Sequence, residues 1–132
     1  MRILIAEDEI TNQQIVRSIV SAHGQCECVD DGDKAVALFR KAIEEKNPFD
    51  LIILDIMMPS MDGQETLRNI RQIEKEAGIS KHMQTKVIML TALSDQRNVV
   101  EAFFKGGASA YIVKPIDKEK LISEMKKLQL VK

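Results

Sequence analysis

Residues 51–63 read LIILDIMMPSMDG. The first four, Leu51–Leu54, are a continuous run of branched apolar side chains, the pattern of a strand covered on both faces. One carboxylate, Asp55, follows, and Pro59, Asp62 and Gly63 then turn the chain. Taken alone, an acid at the end of such a run reads equally as a helix cap, a metal ligand, a nucleophile or an ordinary loop residue. The rest of the chain has to choose.

Working outward, RILIA (Arg2–Ala6), KVIML (Lys86–Leu90) and AYIV (Ala110–Val113) read as further covered strands, and QCECV (Gln25–Val29) alternates as an edge strand does. Helical stripes separate them. The first carries Ile15, Val16, Ile19 and Val20, with Thr11 and Gln14 at capping-box spacing and Gly24 as its end. The second carries Ala35, Leu38, Phe39, Ala42 and Ile43 and stops before Pro48. The third is capped by Asp62, with Leu67, Ile70 and Ile73 inward, and a fourth opens at Ser94 or Asp95 with Val99, Val100, Phe103 and Phe104 apolar. A last helix follows Asp117 with Leu121, Ile122, Met125 and Leu128. The stretch RKAIEEK is a solvated helix face.

Five strands and five helices in alternation predict an α/β fold: a doubly wound, flavodoxin-like parallel sheet with helices on both faces. Periodicity does not reveal strand order, but five-stranded domains of this class commonly run 2-1-3-4-5. A chain of 132 residues fits one domain, with no linker or repeat to divide it. The net charge of −1 gives no bulk attraction to nucleic acid or anionic membrane, and no apolar run is long enough to span a bilayer. The N-terminus, MRILIAEDEI, is not a secretory signal, so a cytoplasmic location is expected. Cys26 and Cys28 lack the further ligands a zinc site needs and are read as packing residues.

In doubly wound sheets the chemistry gathers at the carboxyl ends of the strands, near the point where strand order reverses. Glu7 and Asp8 follow the first strand, Asp55 the third, Thr91 and Ala92 the fourth, and Lys114 and Pro115 the fifth. In the order 2-1-3-4-5, Asp8 and Asp55 share one crevice, with Thr91 and Lys114 on its far side. Neighbouring carboxylates repel unless a cation intervenes, and Mg²⁺ takes oxygen ligands of this kind. Acids, metal, a lysine and a hydroxyl make an electrostatic cradle for phosphoryl transfer, with Asp55 as the nucleophile.

These residues resemble the receiver domain of bacterial two-component response regulators, in a single-domain, chemotaxis-regulator-like form. The matching pieces are Glu7-Asp8, LDIMMPSMDG around Asp55, LTA ending in Thr91-Ala92, and GGASAYIVKP ending in Lys114-Pro115. Each is weak alone; four in order, each at a strand end, are specific. The resemblance spans residues 1–132. It implies that Asp55 accepts a phosphoryl group from a phosphohistidine on a sensor histidine kinase or a histidine phosphotransfer protein. Mg²⁺, with Mn²⁺ as an alternative, would be held by Asp8 and Asp55, by Glu7 through water, and by the main-chain carbonyl of Met57. Lys114 would contact the phosphoryl group, with a cis peptide bond to Pro115. Thr91 would turn toward the phosphoryl oxygens, and Tyr111 would follow inward as a coupled aromatic switch.

The readout would be a changed surface of the fourth helix, fifth strand and last helix, around Val99, Phe103, Lys105 and Tyr111, that controls binding to a downstream protein. No direct nucleic-acid or membrane partner is implied, and the chain would be a monomer or a phosphorylation-dependent dimer. Met1 directly before the first strand, and the short tail after Leu130, fit a stand-alone regulator. Beyond its own phosphorylation and slow autodephosphorylation, no enzyme activity is expected. The resemblance also implies that phosphate lifetime is tuned two residues after Asp55 and two after Thr91; these positions hold Met57 and Leu93, neither able to orient a water, so the aspartyl phosphate should last about minutes to hours. A dehalogenase-type phosphatase would need an acid at position 57, and a flavodoxin-type carrier would not place Glu7-Asp8-Glu9 where a phosphate must bind.

Overall fold

The computed structural model describes residues 1–92 and 107–132. In chain order it contains β1 (Arg2–Ala6), α1 (Ile10–Val20), β2 (Gln25–Val29), α2 (Gly32–Glu44), β3 (Leu51–Asp55), α3 (Gly63–Glu76), a short 3₁₀ turn (Lys81–Met83), β4 (Lys86–Thr91), β5 (Ala110–Val113) and α4 (Lys118–Lys127). The strands form one parallel sheet in the order β2-β1-β3-β4-β5, as expected. Four α-helices lie among the described residues. The fourth expected helix, opening at Ser94 or Asp95, falls outside them, as do Leu93, Val99, Phe103 and Lys105.

Alternation along each strand divides the core into two layers. Leu4, Ala6, Ile52, Leu54, Val87 and Met89 face Phe39 of α2 and Leu67, Ile70 and Ile73 of α3. Ile3, Ile5, Leu51, Ile53, Ile88, Leu90 and Ile112 face Val16, Ile19 and Val20 of α1 and Leu121 and Met125 of α4. Every residue of β3 is buried, which explains its unbroken apolar run. Each large apolar side chain so covered contributes about 1.5–3 kcal/mol. Cys26 and Cys28 are free thiols packed against the α1 side of the sheet, and burial pushes both above the usual thiol range.

Local boundaries follow hydrogen bonding. Asp31, Asp62 and Asp117 cap α2, α3 and α4 by accepting the main-chain N–H groups of Lys34, Glu65 and Lys120. The capping box expected at Thr11 and Gln14 is not formed: α1 starts at Ile10 after Glu9, because the Gln13 N–H already bonds to the Glu9 carbonyl. Nor does Gly24 end that helix, which stops at Val20. Gly24 instead lies where a Cβ would collide with the Met1 carbonyl, which accepts the Gln25 N–H. No helix among the described residues is long and apolar enough to cross a membrane.

Candidate functional site

Sheet register builds the site. Ala6 is paired with Leu54, so the next residues, Glu7 and Asp55, emerge side by side at the β1–β3 junction. Asp55 itself pairs with Leu90, and Thr91 pairs with Val113, which delivers Lys114 to the same end of the sheet. The parallel ladder continues one step past these pairings. Glu7 N–H donates to Val29 O (3.1 Å), Ile56 N–H to Leu90 O (3.0 Å), and Lys114 N–H to Thr91 O (2.7 Å). Gly63 lets α3 begin against β3, since a Cβ there would strike the Asp55 carbonyl oxygen.

Asp55 is 3% exposed, and both its carboxylate oxygens are engaged. Oδ1 accepts the Met57 N–H at 3.2 Å and Oδ2 accepts from Lys114 Nζ at 3.1 Å. Lys114 Nζ also lies 3.5 Å from Glu7 Oε1. Ligand oxygens of Glu7, Asp8 and Asp55 lie within 4.8 Å of one another, with Glu7 and Asp55 buried and Asp8 exposed. Among the described residues this is the acidic group with the geometry of a metal site.

Charge is not balanced within this cluster. Burial first, and then the neighbouring Asp55 carboxyl, push the Glu7 carboxyl up from 4.5 to about 8, with Lys114 and Asn12 only partly opposing them. Burial alone would lower Lys114, but the Asp55 and Glu7 carboxylates outweigh it and hold the ammonium above its usual range. Glu7 Oε2 is the buried side-chain polar atom left without a hydrogen-bond partner among the described residues. Lys114 meets only one oxygen of each carboxylate, and the unpartnered Glu7 Oε2 favours a further proton or cation beside it. Three acids offering oxygen ligands suit a hard divalent cation.

The other expected residues are placed as follows. Thr91 is 1% exposed, and its hydroxyl donates to Ala92 O at 3.1 Å. Tyr111 is 44% exposed and Met57 60% exposed. The Lys114–Pro115 peptide bond is cis. Sequence reasoning did not single out Asn12 or Gln13, whose carboxamides bind Glu7, nor Glu74, which is fully buried beside Arg71. An amide-rich first turn, ITNQQ, is the one trace of the former in the sequence.

The doubly wound five-stranded sheet thus brings an acid cluster, a lysine and a buried hydroxyl together at its switch point. The chain belongs to the response regulator receiver domain family, which it matches over residues 3–126, and so to the domains used in two-component systems. It is similar to the chemotaxis protein CheY of Bacillus subtilis, with 31% identity over 126 residues covering 96% of this chain and 95% of CheY. Similarity to the transcriptional regulatory protein ResD of the same organism is 35% over 128 residues, covering 96% of this chain and 47% of ResD. A probable histidine kinase 2 of Oryza sativa subsp. japonica is 35% identical over 132 residues, covering 92% of this chain and 12% of the kinase. The chain thus spans about an eighth of that kinase and about half of ResD.

Among solved structures, a Vibrio cholerae chemotaxis protein CheY4 superimposes with a TM-score of 0.75 at 28% identity, covering 96% of each chain. The receiver domain of sensor histidine kinase PA1611 from Pseudomonas aeruginosa PAO1 gives a TM-score of 0.76 at 25% identity, covering 96% of this chain and 94% of that one. That structure has a magnesium ion coordinated in its active site cleft.

Proposed function

We propose that Asp55 accepts a phosphoryl group from a phosphohistidine on a histidine kinase or phosphotransfer protein, and that the chain works as a phosphorylation-controlled binding switch in the cytoplasm rather than as a turnover enzyme. The observation that carries this reading is the placement of Asp55: buried, held between the Met57 N–H and Lys114 Nζ, with Glu7 and Asp8 oxygens within 4.8 Å.

Asp8, Asp55 and the Met57 carbonyl would hold Mg²⁺, with Glu7 acting through water and Mn²⁺ as an alternative. When bound, the cation would offset the negative charge of the phosphoryl oxygens beside three carboxylates. The chain's own residues do the rest. A carboxylate oxygen of Asp55 attacks phosphorus, the new O–P bond forms as the histidine N–P bond breaks, and the electron pair leaves with the imidazole nitrogen. Lys114, already at Asp55, transfers its hydrogen bond to a phosphoryl oxygen. The Thr91 hydroxyl must give up Ala92 O to donate to another. Tyr111, 44% exposed, then moves inward and changes the β5–α4 surface that a protein target reads.

The test is labelling of the purified chain by acetyl phosphate or phosphoramidate, followed by intact mass. One phosphoryl group is expected per chain, dependent on Mg²⁺ and lost in Asp55→Asn. Labelling that survives in Asp55→Asn or in excess EDTA would refute the assignment.

A further inference from the structure

Glu7 is gripped at both ends by the first turns of α1. On the main chain, Gln13 Nε2 donates to the Glu7 carbonyl at 3.1 Å and to the Val29 carbonyl at 3.3 Å, which ties the end of β1 to the end of β2. On the side chain, Asn12 Nδ2 donates to Glu7 Oε1 at 3.2 Å. Lys114 Nζ approaches that same oxygen, at 3.5 Å. Both described donors therefore reach Oε1, the Asp55 carboxyl lies against the same group, and Oε2, fully buried, has no hydrogen-bond partner among the described residues.

This asymmetry needs a cause. A glutamate has three side-chain torsions, and ordering such a side chain costs up to about 2 kcal/mol. Repulsion from Asp55 also favours swinging the carboxylate away. Local structure does not explain Asn12: it lies inside α1, where asparagine is an indifferent helix former, and the N-cap is Glu9. Its carboxamide is spent on a buried acid five residues earlier in the chain.

We propose that Asn12 is a positioning residue for the acidic site: it holds the Glu7 carboxylate by Oε1, keeps Oε2 available to the hydration shell of a bound divalent cation, and thereby sets the cation affinity. The inference rests on the reading that Glu7, Asp8 and Asp55 bind such a cation. A partner that orients a ligating or water-bridging group commonly changes metal affinity by about 10- to 100-fold.

The experiment is a double-mutant cycle on Mg²⁺ and Mn²⁺ binding, measured by calorimetry and by Mn²⁺ paramagnetic resonance with no phosphodonor present. Asn12→Ala should weaken binding about 10-fold while its thermal unfolding in EDTA stays close to that of the parent chain. Asn12→Gln, which keeps the carboxamide, should restore most of the affinity. In a Glu7→Asp background, whose shorter arm falls short of residue 12, Asn12→Ala should change affinity by less than about twofold. An unchanged affinity in Asn12→Ala overturns the role of Asn12 and leaves the metal site standing. An undiminished loss in the Glu7→Asp background also overturns it, since Asn12 would then act through another group. No saturable binding by the parent chain overturns the metal site and the inference together.

Discussion

Lys114 Nζ meets Asp55 Oδ2 at 3.1 Å although the strands they leave, β5 and β3, are separated by β4. The ammonium reaches across the end of β4 and places a positive charge against both Asp55 and Glu7. Replacing it with an isosteric neutral chain, Lys114→Met, should therefore tighten Mg²⁺ several-fold, because a competing positive charge is gone. In EDTA the same variant should lose about 1–3 kcal/mol in urea unfolding, as buried Asp55 and Glu7 lose a partly exposed charged partner. Calorimetry decides the first point: weaker Mg²⁺ binding in Lys114→Met would contradict it.

Glu7 makes stability depend on pH. Its folded value of about 8 lies above its unfolded value of 4.5, so between those limits the metal-free folded chain holds a proton that the unfolded chain has released. Unfolding then releases a proton, and stability must fall as pH rises through this window and level off above it. The contribution is complete below the unfolded value. A divalent cation replaces that proton, so Mg²⁺ affinity should rise over the same window with proton release on binding. Glu7→Gln should flatten both profiles, which denaturation in EDTA and calorimetry in buffers of different ionisation enthalpy would measure.

Met57 projects from the site, 60% exposed, with no group that can orient an attacking water. The aspartyl phosphate should persist for minutes to hours, an order-of-magnitude expectation for a site without a water-positioning side chain. Met57→Asn should shorten the half-life at least about threefold. Loss of labelled protein over time, without any phosphatase, is the measurement. A parent half-life of a few seconds would defeat the expectation. Leu93, the other position expected to tune this lifetime, lies outside the described residues.

Arg71 and Glu74 form an anchor on the opposite side of the domain. Glu74 is fully buried, with Oε1 accepting from Arg71 Nη1 at 2.7 Å and Oε2 accepting the Thr85 N–H at 2.7 Å. Arg71 also donates to the carbonyls of Thr85 and Gly107, which binds α3 to the start of β4 and to the approach to β5. Arg71→Ala strands a buried carboxylate and should cost about 3–5 kcal/mol, whereas Arg71→Ala combined with Glu74→Leu should recover much of it. Equal urea midpoints for Arg71→Ala and the parent would show that the pair contributes nothing.

The order of the described elements, the two-sided burial of β3, the caps at Asp62 and Asp117, and the gathering of Glu7, Asp8, Asp55, Thr91 and Lys114 at strand ends were all legible in the chain. Periodicity and turn chemistry act over a few residues, and each of these features is local. The start of α1 was misread because capping-box spacing at Thr11 and Gln14 says nothing of the earlier bond between Gln13 and Glu9, which the turn after β1 sets. Nothing in the pattern distinguished Glu74 from a solvent-facing helix acid, because its i,i+3 pairing with Arg71 is one an exposed helix also makes, and its Thr85 N–H partner meets it only in the packed domain.

By itself, the sequence determined which residues occupy the carboxyl ends of the strands, since hydrophobic runs end where polar chemistry begins. Tertiary structure alone decided how those ends meet. Parallel register puts Glu7 beside Asp55, Lys114 reaches across β4, and Asn12 takes one oxygen of Glu7 and leaves the other. Those relations depend on distances between segments far apart in the chain, and only burial in a common core makes one arrangement lower in free energy than the rest.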